Sequence, residues 1–113
     1  LASATPRLLL SRDFALASAR LNGRALEFLT RHQSDVAVVL AAVRSDGLAL
    51  RHASAELRED FSVALAACSQ NGLALEFVGS LRRSRRVVRA AVIQNGAALR
   101  FAEAELKRDW PLV

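Results

Sequence analysis

Several residue types are scarce in this chain, and each scarcity excludes a class of protein. The one cysteine, Cys68, cannot form an internal disulfide and is predicted to be a small buried hydrophobic residue rather than a reactive thiol. The longest apolar run covers eight residues, 36–43, whereas a membrane-spanning helix needs about 20. Few glycines and prolines, together with 52% hydrophobic residues, place the chain among folded proteins rather than disordered ones.

Methionine is absent, even at position 1. We therefore expect that the chain does not begin where translation began: it is either a processed product, from which an organelle-targeting segment is one candidate for removal, or the ordered part of a longer protein. An intracellular, organellar location (a plastid or a mitochondrion) is one hypothesis that this absence supports, although no visible segment fixes the compartment.

One short sequence recurs four times, with an Asn-Gly or Asp-Gly pair at its centre. The four glycines, Gly23, Gly47, Gly72 and Gly96, stand 24, 25 and 24 residues apart. A fixed period of this length is typical of repeat proteins, in which each unit packs against its neighbours. The sequence therefore predicts an array of four units.

Each unit is predicted to contain two short helices joined at the glycine. The glycine is expected to close the first helix in the left-handed conformation, so Gly47 and Gly72 are predicted to have positive φ. Alanine-rich flanks with helical spacing favour this arrangement over a β-hairpin. The residues predicted to cap the first helices at or near their N-termini are Asp13, Asp35, Asp60, Ser84 and Asp109.

The second helix of each unit carries a leucine three residues after the glycine and a ring five residues after it. His52 holds one of the ring positions and is interpreted as a packing residue, whereas His32 is expected to be solvated. The residues predicted to face the core are Leu26, Leu50, Leu75 and Leu99, followed by Phe28, His52, Phe77 and Phe101.

The predicted fold is all-α, a right-handed or bundle-like α-solenoid of four helix-turn-helix repeats. The array is expected to occupy residues 13–109. Residues 1–12 are predicted to form an N-terminal segment that is a half-repeat or a cap, and residues 110–113 a C-terminal tail.

The repeat pattern resembles a known family. The pattern V-V-x-A-A-V-x-x-N-G-x-A-L-x-F-A, followed by L-x-x-D, is similar to the repeats grouped as domain of unknown function 4116. The second and fourth units match best, while the first departs at Arg20 and the third at Arg82 and Arg85. The resemblance implies a helical array and carries over no catalytic residue.

The sequence shows no arrangement typical of catalysis, metal binding or cofactor binding. The two histidines are 20 residues apart, and neither Cys-x-x-Cys nor His-x-x-x-His spacing occurs. A phosphate loop, a Gly-x-Gly-x-x-Gly pattern and a Gly-x-Ser-x-Gly elbow are also missing. We therefore predict a non-enzyme with no catalytic residue, no metal site and no cofactor.

Five arginines within eight residues form a local concentration of positive charge in a chain of net charge +5. Chains with such a cluster can bind an acidic protein surface, RNA or an anionic lipid surface. The phenylalanines are expected at core positions, which leaves no ring nearby for base stacking. A solvated loop whose arginines meet nearby glutamates or helix C-termini is the structural alternative. The residues of this arginine cluster are Arg82, Arg83, Arg85, Arg86 and Arg89.

These observations favour a non-enzymatic interaction module, a small accessory or structural subunit that docks on a larger protein assembly. An organellar complex, for example a photosynthetic one, is the assembly that the missing methionine favours. The alternative is a basic module that binds RNA or an anionic surface through residues 82–89, and peripheral association with a membrane is open in either case.

Overall fold

The computed structural model describes residues 11–103 and 107, and all structural statements concern those residues. They form α-helices, 3-10 helices and turns, with no β-strand among them, so the predicted all-α fold is confirmed. The α-helices are α1 (Arg12–Leu21), α2 (Val36–Ser45), α3 (Ala55–Arg58), α4 (Phe61–Gln70) and α5 (Arg85–Gln94). The 3-10 helices are Gly23–Glu27, Thr30–His32, Gly47–His52, Gly72–Phe77, Gly79–Arg83 and Gly96–Phe101.

Four repeat units, numbered 1 to 4 by their glycines, each consist of a ten-residue α-helix followed by a 3-10 helix that begins at the glycine. The long helices stack in one layer, α1 on α2, α2 on α4 and α4 on α5, while the 3-10 helices stack in a second layer. The molecule measures 58 × 21 × 16 Å. This elongated stacking of neighbour on neighbour confirms the predicted repeat array.

The second half of each unit differs from the α-helix that the sequence predicts. It begins as a 3-10 helix of five or six residues. A segment this short closes one more backbone hydrogen bond with i→i+3 pairing than with i→i+4 pairing, which favours the tighter helix. In units 1 to 3 a second short helical piece follows it and leads into the next long helix.

Three of the predicted N-caps are confirmed. Asp35, Asp60 and Ser84 precede α2, α4 and α5 and accept hydrogen bonds from first-turn N–H groups. In unit 1 the prediction is wrong, because Ser11 is the cap and Asp13 lies within the first turn of α1. A carboxylate is also favoured there, since the helix dipole is positive at its N-terminus. The last predicted cap, Asp109, lies outside the described residues.

The predicted left-handed conformation of Gly47 and Gly72 is wrong. Among the described residues, only Gly79 has positive φ, at 59°. The residue before the glycine makes the turn instead: Asn71 is extended (φ −148°, ψ 110°), and its Oδ1 accepts the N–H of Leu73 at 3.0 Å. Asn71 therefore ends α4, where its N–H donates to the carbonyl oxygen of Ala67, and its side chain caps the 3-10 helix that follows, without a left-handed glycine.

The repeat glycines of units 1 to 3 lie where one unit touches the next. A Cβ atom placed on Gly47 would lie 2.5 Å from the carbonyl oxygen of Ala67, and the Gly47 N–H donates to Oε1 of Gln70 at 2.6 Å. We call this arrangement the glycine contact. In it, the glycine of one unit packs against the carbonyl oxygen of an alanine in the long helix of the next unit, and the glycine N–H donates a hydrogen bond to the Gln or Ser that ends that helix. It recurs as Gly23 with Ala42 and Ser45, and as Gly72 with Ala91 and Gln94.

The core consists of leucine, valine and alanine together with Cys68, without a fully buried phenylalanine among the described residues. The leucines of units 1 to 3 are fully buried, as predicted, while Leu99 of unit 4 is only partly buried. The prediction that the ring of each unit faces the core is wrong for Phe28, which is 77% exposed. The rings of the other units are half-buried: His52, Phe77 and Phe101. Alanines at the helix contacts bring the helices close together and leave no space for rings between them.

Two further sequence predictions concern single residues. Cys68 is fully buried, as predicted, and burial raises the pKa of its thiol to about 12, which disfavours the reactive thiolate. The prediction that His32 is solvated is wrong, because it is only 8% exposed. It occupies the repeat position held in the next units by Leu57 and Leu81, which are partly buried and packed against the core.

Asp35 links units 1 and 2. Its Oδ1 accepts the Ala37 N–H at 3.0 Å, and its Oδ2 accepts a hydrogen bond from Nε of Arg12 at 2.6 Å. The hydrogen bond from Arg12 is the main cause that lowers the pKa of Asp35. We expect Asp35→Ala to lower the free energy of unfolding by about 1 kcal/mol, since the cap is lost. Chemical unfolding at neutral pH measures this.

Asp35→Asn is the matched control, because asparagine retains the cap and loses the charge. The pKa of Asp35 is lower in the folded chain, so its charge stabilises the fold above the ordinary value of 3.8 and ceases to do so as the pH falls through the folded value. The difference in melting temperature between wild type and Asp35→Asn should therefore shrink across that range. A constant difference would contradict the ion pair.

Candidate partner-binding surface

The arginine cluster lies at the junction of units 3 and 4. Two of its arginines end the 3-10 helix Gly79–Arg83, and the other three fall within the first five residues of α5. Ser84 joins the two elements and caps α5, since its Oγ accepts the N–H of Val87 at 3.4 Å. The serine cap thus sets the start of α5 and places the five arginines on either side of one helix start.

Arg82 has a structural role within the cluster. Its Nη2 lies 3.8 Å from Oε1 of Glu103, and its Nε donates to the carbonyl oxygen of Gly79 at 3.2 Å. Its own carbonyl oxygen accepts the N–H of Glu103 at 3.2 Å. These contacts join unit 3 to unit 4. Arg82 therefore fits the structural interpretation of the cluster, in which arginines contact nearby glutamates.

The other four arginines of the cluster are exposed, and no carboxylate of the described residues lies within 4.0 Å of them. The guanidinium of Arg86 lies over the ring of Phe61, 5.2 Å from its centroid. Phe61 begins α4 and is 37% exposed, which corrects the expectation that no ring lies near the cluster. The cluster therefore combines exposed positive charge with a partly accessible ring.

Arg85 and Arg86 lie where the dipole of their own helix opposes them. The first turn of an α-helix carries a partial positive charge, which favours carboxylates and disfavours cations by about 0.3–1 kcal/mol each. The first turn of α5 contains no acidic residue, whereas that of α1 contains Asp13. Helix stability therefore does not explain why two arginines occupy these positions.

Away from the arginine cluster, the described surface contains a groove between two of the long helices. This groove of about 440 Å³ is lined by residues of α1 and α2, among them Leu16, Leu40, Arg20 and Arg44. Within the part of the chain that the structure describes, no three His, Cys, Asp or Glu side chains lie close enough together to hold a metal ion. No helix in that part is long and apolar enough to cross a membrane.

The repeated segments match the model of one protein family. The family model described as "Domain of unknown function (DUF4116)" matches three overlapping segments, residues 11–58, 35–82 and 60–107. The chain belongs to the DUF4116 family. Each DUF4116 segment begins at the residue that caps a long helix and spans two consecutive units. No curated protein and no solved structure gives a match to the chain.

Two features of this DUF4116 chain were not predicted from the sequence. The first is the glycine contact, whose signal is an Ala-x-x-Gln or Ala-x-x-Ser ending of α2, α4 and α5 in phase with the glycines. The second is the contact of Arg86 with the ring of Phe61, because the sequence pattern predicts that ring in the core. Both depend on which side of a helix the neighbouring unit covers.

Proposed function

We propose that the protein is a non-enzymatic interaction module, a small accessory subunit whose arginine cluster docks on an acidic surface of a larger protein assembly. The observation that carries this proposal is the group of four exposed arginines without a carboxylate partner among the described residues. Two of them hold positions that the helix dipole disfavours. Residues that reduce helix stability are retained where binding requires them.

The chemistry of the cluster suits a protein partner. Guanidinium groups form paired hydrogen bonds with carboxylates and lose their hydration more readily than ammonium groups do. Arginine and aromatic residues are also enriched among the residues that contribute most to protein interfaces. Arg86 and Phe61 provide such a pair at the edge of the cluster.

The test is a charge-reversed variant, Arg83→Glu with Arg85→Glu and Arg86→Glu. We expect at least about a 100-fold loss of affinity for the partner, since like charges placed across an interface cost several kcal/mol. Glutamate is favoured in the first turn of α5, so the variant should melt no lower than wild type. The measurement is quantitative mass spectrometry of proteins retained from a native extract by the tagged protein.

A second triple variant serves as the matched control: Arg20→Glu, Arg31→Glu and Arg44→Glu change the charge equally and lie in units 1 and 2. It should retain the partner that the cluster variant loses. Equal retention by both variants would contradict the proposal. Retention of RNA that falls steeply with salt would instead favour the nucleic-acid alternative.

A further inference from the structure

Among the described residues, nothing covers unit 4's copy of the surface that joins the other units to each other. We call this the end face; it consists of Val92, Gly96 and Leu99. In units 2 and 3 the next helix covers these positions and all of them are buried. In unit 4, Gly96 is exposed and the other two are only partly buried. The buried equivalents are Val43, Gly47 and Leu50 in unit 2, and Cys68, Gly72 and Leu75 in unit 3.

Among the described residues, Gly96 lacks the glycine contact that Gly23, Gly47 and Gly72 make. No heavy atom of the described residues lies within 4 Å of a Cβ built on Gly96, whereas a Cβ on Gly72 would overlap the carbonyl oxygen of Ala91. The N–H of Gly72 donates to Oε1 of Gln94 at 2.6 Å. The three internal glycine contacts therefore show what kind of surface fits the end face.

We infer that the end face binds one further α-helix of the same repeat class, a helix whose last turn reads Ala-x-x-Gln or Ala-x-x-Ser. The alanine carbonyl of this helix packs on the Cα of Gly96, where the missing side chain leaves space. Its terminal Gln or Ser accepts the N–H of Gly96. Its apolar side chains cover Val92 and Leu99, as α5 covers the equivalent residues of unit 3.

The first described helix of a second copy, α1, does not have such an ending, and the helices that have it, α2, α4 and α5, already use it within the array. In α1 the positions of the alanine and the terminal Gln or Ser are held by Ser18 and Leu21. Leu21 is 87% exposed and has no acceptor atom, so head-to-tail stacking of two copies would leave the Gly96 N–H without a partner. The occupant is therefore a repeat helix other than α1. This inference does not rest on the proposed function, since the end face contains no residue of the arginine cluster.

The experiment uses a synthetic peptide with the sequence of residues 60–77, which contains α4 and ends its helix with Ala67-x-x-Gln70. A hydrocarbon staple between positions 62 and 69, which are both exposed in the chain, keeps the peptide helical before it binds. It therefore reduces the entropy that the peptide loses on binding. Fluorescence anisotropy measures binding of the labelled peptide to the full chain. We expect saturable binding by wild type.

Two single changes probe the contact from its two sides. Gly96→Ala should weaken binding at least about tenfold, since the added Cβ occupies the place of the alanine carbonyl. It should not lower the melting temperature, because the described structure leaves that space open. Gln70→Leu in the peptide should weaken binding about two- to tenfold, as expected for one hydrogen bond. This second change leaves the protein itself unaltered.

Three results would overturn the inference. One is the absence of binding at peptide concentrations up to about 1 mM. Another is equal affinity of wild type and Gly96→Ala for the peptide. The third is dimerisation of the chain alone, abolished by Gly96→Ala in sedimentation experiments, because a second copy would then occupy the end face. The cluster variant of Arg83, Arg85 and Arg86 should bind the peptide normally, which separates this test from that of the proposed function.

Discussion

Gly72→Ala should lower the free energy of unfolding by about 2 kcal/mol or more, although alanine is the better helix former by up to about 1 kcal/mol. The added Cβ would overlap the carbonyl oxygen of Ala91, which belongs to the backbone of α5 and cannot rotate away as a side chain can. Relief of the overlap requires α5 to move off unit 3. That movement also lengthens the hydrogen bond from Gly72 to Gln94.

Gly96→Ala is the matched control, with the same change at the same repeat position. No described atom surrounds that site, so the free energy of unfolding should change by less than about 1 kcal/mol and tend towards stabilisation. Urea unfolding followed by circular dichroism measures both variants. Equal changes for Gly72→Ala and Gly96→Ala would contradict the glycine contact, because the overlap with a neighbouring carbonyl oxygen predicts a loss of stability at Gly72 alone.

Leu75→Ala should lower the free energy of unfolding by about 2–5 kcal/mol, the usual cost of removing a fully buried leucine and leaving a cavity. Leu75 is fully buried at the centre of the array, where units 2, 3 and 4 meet. Because each unit is supported by its neighbours, the loss should reduce the stability of the whole stack rather than of one unit. Thermal and urea unfolding of the variant measure the effect.

Leu99→Ala provides the comparison within the same repeat position. Leu99 is only partly buried, so less apolar surface returns to water and the loss should be clearly smaller than for Leu75→Ala. Similar losses for the two variants would indicate that the end face is covered in solution. A small loss for Leu75→Ala would contradict the stacked core.

The fold could be predicted from the sequence as far as it depends on features that recur. The spacing of the glycines fixed the number of units, and the leucines three residues beyond Gly23, Gly47 and Gly72 pointed to the core. Asp35 and Asp60 were recognisable as caps because a cap acts within a few residues of its own helix. Such local and periodic signals can be read without knowledge of the packing.

The role of the repeat glycines could not be predicted from the sequence. Glycine suits both a left-handed turn and a close approach of two backbones, and the residues alone do not separate these cases. At Gly47 the deciding atom is the carbonyl oxygen of Ala67, twenty residues further along the chain. His32 and Phe28 illustrate the same difficulty, because their burial depends on which side the adjoining unit covers.

The candidate site was predictable in its charge and not in its contacts. The number of arginines identifies the cluster, but the contact of Arg82 with Glu103 requires the packing of unit 4 against unit 3. The placement of Arg86 over Phe61 likewise arises from the stacking of α4 and α5. These contacts assign Arg82 to the fold and leave the other four arginines to the proposed interaction.

The most direct test of the proposed interaction is native purification of the endogenous protein, with mass spectrometry of all that remains attached at physiological salt and again after a high-salt wash. The account predicts a protein partner in a fixed ratio to this chain at physiological salt. Recovery of the chain alone at physiological salt would contradict the account, as would recovery with RNA that the wash removes.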